Sequence, residues 1–448
     1  MHEQIDYIVK SIGRKLSDYD YLRQVSNEES NYLETESGLI NPFQELSLSH
    51  GLPSLCMLYG EMNEHYPEEG WDRIGHQYMQ RIGQQLEEEG VQSLSMFTGA
   101  AGIGLSALCI SKQRRRYSSF ISSINELIAN SIDPLLEQIQ SRQDLHMQDY
   151  DPISGVTGVA AYTLLFHNDS NFPVMKEINR KIVNYIIHVC QDKECNGKLV
   201  PGWYISAANQ FSEVDKLRWP NGCFNIGLAH GIPSLLITLC DSYLKGIKEE
   251  GQLDSIRKLA DFLLQSRIES EGQYYWGTHI SIEEYNDLTV TSTYTRDAWC
   301  YGTPGVAYSL LAAGKALQDD KYLTPAVESM KRAAVRQQEI YCPTFCHGLS
   351  NLAMISKHFY SVTKDAEFLQ ITSSLTEQMM SYYNEELPFG FQTVDKKTGI
   401  EKLYDYVGLI DGVTGVALTL LAVNKDKKTP WDSAFLLGGL SDEEHTRC

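Results

Sequence analysis

Nowhere does this 448-residue chain hold the roughly 18 to 20 consecutive apolar residues of a membrane-spanning helix, which excludes a protein built on such helices. Residues 1–20 are polar and amphipathic and lack the apolar stretch of a secretory signal, so the expected location is cytoplasmic, with peripheral attachment at the inner face of a membrane left open. Basic residues are few beside acidic ones, 38 against 58, for a formal net charge of −20. Phosphate backbones are bound by clustered Lys and Arg, so nucleic acid is excluded as a partner. The acidity would attract a cationic partner or simply keep the protein soluble. No CxxC…CxxC frame is present. The ten cysteines are therefore expected as thiols in a reducing compartment rather than as disulfides or a ready-made structural metal site.

What is abundant is a repeat. A glycine-centred turn leads into an apolar run seven times: HGLPSLCMLYG from His50, TGAAGIGLSAL from Thr98, SGVTGVAAYTLL from Ser154, HGIPSLLITL from His230, YGTPGVAYSLL from Tyr301, HGLSNLAMIS from His347 and DGVTGVALTLL from Asp411. Internal repetition is the first thing to establish, because it decides the fold. Amphipathic stretches lie between the copies, at 5–22, 71–89, 119–140, 174–190, 253–267, 321–338 and 365–382. In 174–190, for example, Ile178, Ile182, Ile186 and Val189 share one face. A helix apolar nearly all round is buried, and one with a single apolar stripe lies outside it. Seven of each, alternating, predict an all-α fold: an α/α toroid of seven outer and seven inner helices. An open solenoid is the alternative, but it needs polar capping repeats, and the last run, 412–423, is as apolar as the others. The glycines suit crowded backbones where inner helices start together.

Two segments break the pattern, near 196–224 and 271–297. Rich in Tyr, Trp, Thr and Gly, they predict loops or short strands forming a small strand-containing extension of a single domain spanning 1–448.

The seven turns should meet at one end of the ring, with His50, Asp151, His230, Arg296, Asp297, Trp299, Cys300, Tyr301, Cys346, His347, Asp405 and Asp411 at or near them. Cys300 and the pair Cys346-His347 belong to adjacent copies. Two thiolates and an imidazole make a three-ligand zinc site with a fourth position open, the pattern of catalytic zinc. Cys342 is a rival ligand, and three unrelated turn residues are the alternative. His230 and Asp151, also in adjacent copies, suit an oriented acid or base or, alternatively, two helix caps. Arg296 suits oxyanion stabilisation or a surface salt bridge.

Three motifs in order, Gly227-Leu228-Ala229-His230-Gly231, Trp299-Cys300-Tyr301-Gly302 and Cys346-His347-Gly348, together with the sevenfold repeat, resemble the lanthionine synthetase C family of class I lantibiotic cyclases. The resemblance covers essentially the whole chain. It implies an α/α toroid with one catalytic Zn²⁺ per chain, held by Cys300, Cys346 and His347. It implies an acid/base pair of His230 and Asp151, active-site roles for Arg296 and Tyr301, and a pocket shaped by Trp299. The implied reaction is addition of Cys thiols to dehydroalanine or dehydrobutyrine in a precursor peptide. The implied partners are that dehydrated peptide, leader plus core, and a dehydratase and export transporter in a membrane-associated complex. The chain departs from the pattern where Ser54, Ser234 and Asn351 replace the second glycine of their copies.

Rival functions remain at this point. A glycosidase on the same ring would need two carboxylates across a cleft, for which Asp151 and Asp411 are the candidates. A non-catalytic zinc scaffold binding peptide would not need His230 and Asp151. A related enzyme adding glutathione to dehydrated residues would share the whole site.

Overall fold

The computed structural model describes residues 1–35, 38–195, 197–270, 272–291, 296–396, 401–424 and 430–440. The fold is largely α-helical with a minor strand-containing region. Its main helices are α1 (His2–Lys15), α2 (Leu52–His65), α3 (Trp71–Glu89), α4 (Ala100–Ile110), α5 (Ser118–Gln140), α6 (Val156–Thr163), α7 (Pro173–Val189), α8 (Ile232–Leu244), α9 (Gln252–Gln265), α10 (Thr303–Leu317), α11 (Asp320–Arg336), α12 (Leu349–Thr363), α13 (Glu367–Met380) and α14 (Val413–Asn424).

The odd-numbered helices are the amphipathic stretches. α7 buries Met175, Ile178, Ile182, Val183, Ile186 and Val189 and exposes its other face. The even-numbered ones are the apolar runs, and in α4 every residue is buried. Two expected helices differ. Stretch 5–22 breaks after Lys15, and Asp18 caps a separate helix, Tyr19–Ser26, by accepting from Asp20 N and Tyr21 N. Stretch 365–382 is shorter at both ends.

The buried helices pack in chain order: α2 on α4, α4 on α6, α6 on α8, α8 on α10, α10 on α12, α12 on α14, and α14 back on α2. The turns before them are joined in the same order, mostly through the residue two before a copy's first glycine. Leu48 N and Phe97 N donate to Phe97 O (2.8 Å) and Ile153 O (3.2 Å). Ala229 N donates to Cys300 O (3.2 Å), Cys300 N to Cys346 O (3.5 Å), Cys346 N to Ile410 O (2.8 Å), and Ile410 N to Ser49 O (3.4 Å). Between the third and fourth copies side chains make the link, through Tyr150 Oη to His230 O (3.1 Å) and Asp151 to His230. Ser54, Ser234 and Asn351 each donate to the carbonyl of their own copy's first glycine, at 2.8, 2.8 and 2.6 Å, so the three departures from the glycine pattern stitch the first helical turn.

The strands among the described residues form five two-stranded antiparallel pairs. Both irregular segments contribute, and Cys223–Asn225 of the first pairs with His279–Ser281 of the second, Asn225 opposite His279. The segments also contain short helices that their composition did not suggest, Glu213–Arg218 and Ile282–Asp287. The second is set by a capping box between Ser281 and Glu284. Of the strand-like DLTVTSTYT stretch, residues 292–295 lie outside the described residues.

One feature was not expected from the sequence. The 3-10 segment Pro430–Phe435 lies among the turns, with Trp431 and Phe435 fully buried. Phe435 stacks on Phe345 (centroids 3.7 Å apart) and meets Phe97 and Trp299 edge-on. Asp432 Oδ2 lies 2.9 Å from His358 Nε2 on α12, and Lys315 Nζ on α10 donates to Leu440 O (2.6 Å).

Candidate active site

Cys300 precedes α10, and Cys346 and His347 precede α12. One ligand atom from each lies within 4.8 Å of the others, and this is the one His/Cys/carboxylate cluster of metal-binding geometry among the described residues. Cys300 N to Cys346 O is the main-chain link between the two turns. The thiols behave as a pair. A hydrogen bond from Cys346 lowers the Cys300 pKa, against the effect of burial, and raises that of Cys346. The positive charge of Arg296 acts to lower both. The donor set therefore fits a soft divalent ion: two sulfurs close together, one with its pKa lowered, and an imidazole beside them. Cys342 stands apart from the cluster, its sulfur against Thr344 Oγ1 (3.2 Å) and its thiol pushed up by burial.

His347 Nδ1 lies 3.5 Å from Asp411 Oδ1, which is buried and makes no hydrogen bond. A carboxylate beside a ligating histidine orients the ring and fixes which nitrogen carries the proton.

On the other flank His230 Nδ1 lies 2.6 Å from Asp151 Oδ2. Asp151 is fully buried, and its Oδ1 accepts from Ser154 N (2.6 Å) and Gly155 N (3.1 Å). One side chain thus both closes its own turn and holds a histidine of the next copy. With Nδ1 donating to the carboxylate, Nε2 is the nitrogen left for other partners. The His230 side chain is 26% exposed, enough for contact with a bound molecule. Its ring is met edge-on by Phe211 (4.8 Å) and lies 6.4 Å from that of Tyr301.

The other sequence candidates divide. Tyr301 is at the site, its hydroxyl pKa raised by burial so that it stays protonated. Arg296 is close enough to lower the pKa of both thiols and has no ion pair among the described residues. Trp299 sits behind the site, fully buried, its Nε1 donating to Phe435 O (3.0 Å). Asp297 is a strut, with Oδ1 and Oδ2 2.6 and 3.0 Å from Arg336 Nη2 and Nε. Asp405 faces Gln392 Nε2 (3.3 Å). His50 is half-buried against Tyr406, its pKa lowered by burial. Each of the two carboxylates considered for a glycosidase has a histidine beside it, His230 for Asp151 and His347 for Asp411.

Two residues at the site escaped sequence reasoning, Asn225 and His279, both against Tyr301. Asn225 carried a faint signal, two residues before the GLAHG motif. His279 carried none, being a lone histidine in an irregular segment.

A repeat-built helical fold with a Cys₂His cluster at its turns defines a class, and the comparisons identify it. Residues 42–436 match the family model described as lanthionine synthetase C-like protein, and the chain belongs to that family. It is 29% identical over 354 residues to the nisin biosynthesis protein NisC of Lactococcus lactis subsp. lactis, covering 78% of this chain and 82% of that protein. Among solved structures it is similar to nisin cyclase, with a TM-score of 0.76 and 28% identity over 88% of this chain and 92% of that one.

Proposed function

We propose that the protein is a zinc-dependent lanthionine cyclase, joining a cysteine thiol to a dehydroalanine or dehydrobutyrine of the same dehydrated precursor peptide. The observation that carries this is the Cys300, Cys346 and His347 cluster, beside a turn (Ala229 N to Cys300 O, 3.2 Å) whose His230 is held by the buried Asp151. On this reading those three residues hold one Zn²⁺ per chain, and Asp411 orients His347. Zinc held there would supply Lewis acidity, lowering the pKa of a substrate thiol, ordinarily ~8.5, toward the nucleophilic thiolate.

The chain's own groups then manage the rest of the addition. The sulfur forms its bond to the β-carbon, and the double-bond electrons move to the neighbouring carbonyl oxygen as an enolate. Arg296 and the Tyr301 hydroxyl stabilise that oxygen. His230, its Nδ1–H held by Asp151, takes up at Nε2 the proton that the thiol releases and delivers it to the α-carbon. The thiol loses one proton and the α-carbon gains one, so no oxidant or reductant is required.

The same reading makes residues 1–448 one α/α toroid of seven outer and seven inner helices, with insertions near 196–224 and 271–297. The cyclic packing order of the buried helices supports it. The peptide, leader plus core, is then the main partner, with a dehydratase and an export transporter as companions at the inner face of the membrane. No helix among the described residues is long and apolar enough to cross a membrane.

The deciding experiment measures metal by elemental analysis in the wild type and in Cys346→Ala. In parallel, free thiols are counted by alkylation and mass spectrometry after incubation with dehydrated peptide. About one zinc per chain, lost in the variant together with thiol consumption, is the expected outcome. A freshly purified, unchelated wild type without zinc, or one that consumes no thiol, refutes the proposal.

A further inference from the structure

The irregular segments do more than decorate the helices, because their strand pair ends against Tyr301. Asn225 and His279 are opposite each other in that ladder. Asn225 is 1% exposed, and its Nδ2 donates to Tyr301 Oη (3.2 Å). Which end of the amide faces the tyrosine is fixed, because Asn225 Oδ1 accepts from Gly227 N (3.0 Å). His279, also buried, lays its ring on that of Tyr301 with centroids 5.8 Å apart and planes at 29°. Trp219 lies behind it at 4.0 Å. Gly227 also stands close to the tyrosine: a Cβ there would lie 2.2 Å from Tyr301 Cδ1, so only glycine lets the ring lie there. The ring is thus packed by both backbone and imidazole, and its oxygen accepts from Asn225.

A hydroxyl that accepts from an amide N–H cannot donate back to the same nitrogen. Its own hydrogen must point elsewhere. We propose that Asn225 and His279 are positioning residues that hold the Tyr301 hydroxyl with its proton turned away from the strand pair and toward the reacting carbonyl oxygen. This rests on the cyclase reading for the identity of that oxygen. It gives the irregular segments a part in the chemistry: they set the direction of one proton. His279 serves as a flat uncharged ring. Burial lowers its pKa to about 3, and its Nδ1 is buried without a hydrogen-bond partner.

The test uses full-length, zinc-loaded enzyme. In Asn225→Asp the carboxylate would still accept from Gly227 N, and its other oxygen would accept the tyrosine proton, reversing the bond. The expected result is a kcat loss of about a hundredfold with KM little changed, equal to the loss in Tyr301→Phe, and no further loss in the double variant. Zinc content stays at the wild-type value. His279→Ala lowers kcat, and His279→Phe, which keeps a flat ring, recovers most of it. A reading independent of catalysis comes from tyrosine labelled with carbon-13 at Cζ, with the Tyr301 resonance assigned through Tyr301→Phe. That resonance should move when Asn225 becomes Asp. An unmoved resonance overturns the proposal, as does full kcat in Asn225→Asp while Tyr301→Phe is impaired. A wild type that leaves dehydrated peptide unchanged overturns the cyclase reading instead, and the Cζ resonance then still decides the hydrogen bond on its own.

Discussion

Asp151 uses its two oxygens for different ends. Oδ1 closes the turn through Ser154 N and Gly155 N, and Oδ2 holds His230 Nδ1. An amide in its place keeps the shape, but a carboxamide that turns its NH₂ to the histidine cannot accept the Nδ1 proton. The imidazole then carries its hydrogen on the wrong nitrogen. Asp151→Asn should therefore lose about 10³- to 10⁴-fold in kcat, as such swaps do at other aspartate–histidine pairs, with zinc content intact. Single-turnover thiol consumption measures this, and a loss under tenfold would mean that Asp151 is only a turn cap. At this scale the sequence was informative where residues sit in the repeat. His230, Tyr301, His347 and Asp411 all immediately precede a first glycine, and Cys300 and Cys346 sit one place earlier. It could not choose between Cys342 and Cys346, because that depends on which way a turn faces.

Helices and turns carry constraints that a pattern of letters only partly conveys. Gly302 has φ of +105°, and a Cβ there would stand 1.8 Å from Arg296 O. The helix after it thus starts close against the chain that carries Arg296. At the other end of the buried helices, Asp241 of α8 is 7% exposed with Oδ1 unpartnered, and a Cβ on Gly439 would stand 2.0 Å from its Oδ2. Burial raises its pKa from 3.8 to about 7. The folded protein therefore holds a proton that the unfolded chain releases between those values. Stability falls as pH rises from about 4 to about 7 and levels off above. Asp241→Asn removes this slope. Denaturant midpoints at pH 5.5 and 8 should lie closer together in the variant, with the gain at pH 8. An unchanged gap would show that Asp241 ionises normally. The alternation of amphipathic and apolar helices was readable from periodicity. The helices Glu213–Arg218 and Ile282–Asp287 were not, being too short to show a period and set by caps.

Across the whole molecule, the segment 430–440 ties distant parts together. Phe435 touches Phe97, Trp299 and Phe345, which precede α4, α10 and α12. Its removal leaves a hole shared by three turns, two of them carrying a cysteine of the candidate metal cluster. Phe435→Ala should cost about 3–5 kcal/mol in denaturant unfolding. It should also speed zinc loss to a chelator, because the Trp299 turn loses its backing. A chelation rate equal to the wild type would separate the segment's packing role from the metal site.

The sequence by itself determined the helical class, the sevenfold repeat and the residues able to do the chemistry, because these follow from periodicity and side-chain type. Only the tertiary structure decided what those residues do to one another. The turns meet through main-chain hydrogen bonds between segments far apart in the chain, so the Cys₂His grouping, the Asp151–His230 contact and the placing of Asn225 and His279 on Tyr301 arise from packing. Local propensity does not encode which strand of one irregular segment will pair with the other. Nor does it encode that a tail, polar and glycine-containing at its start and end, will bury Trp431 and Phe435 among the turns.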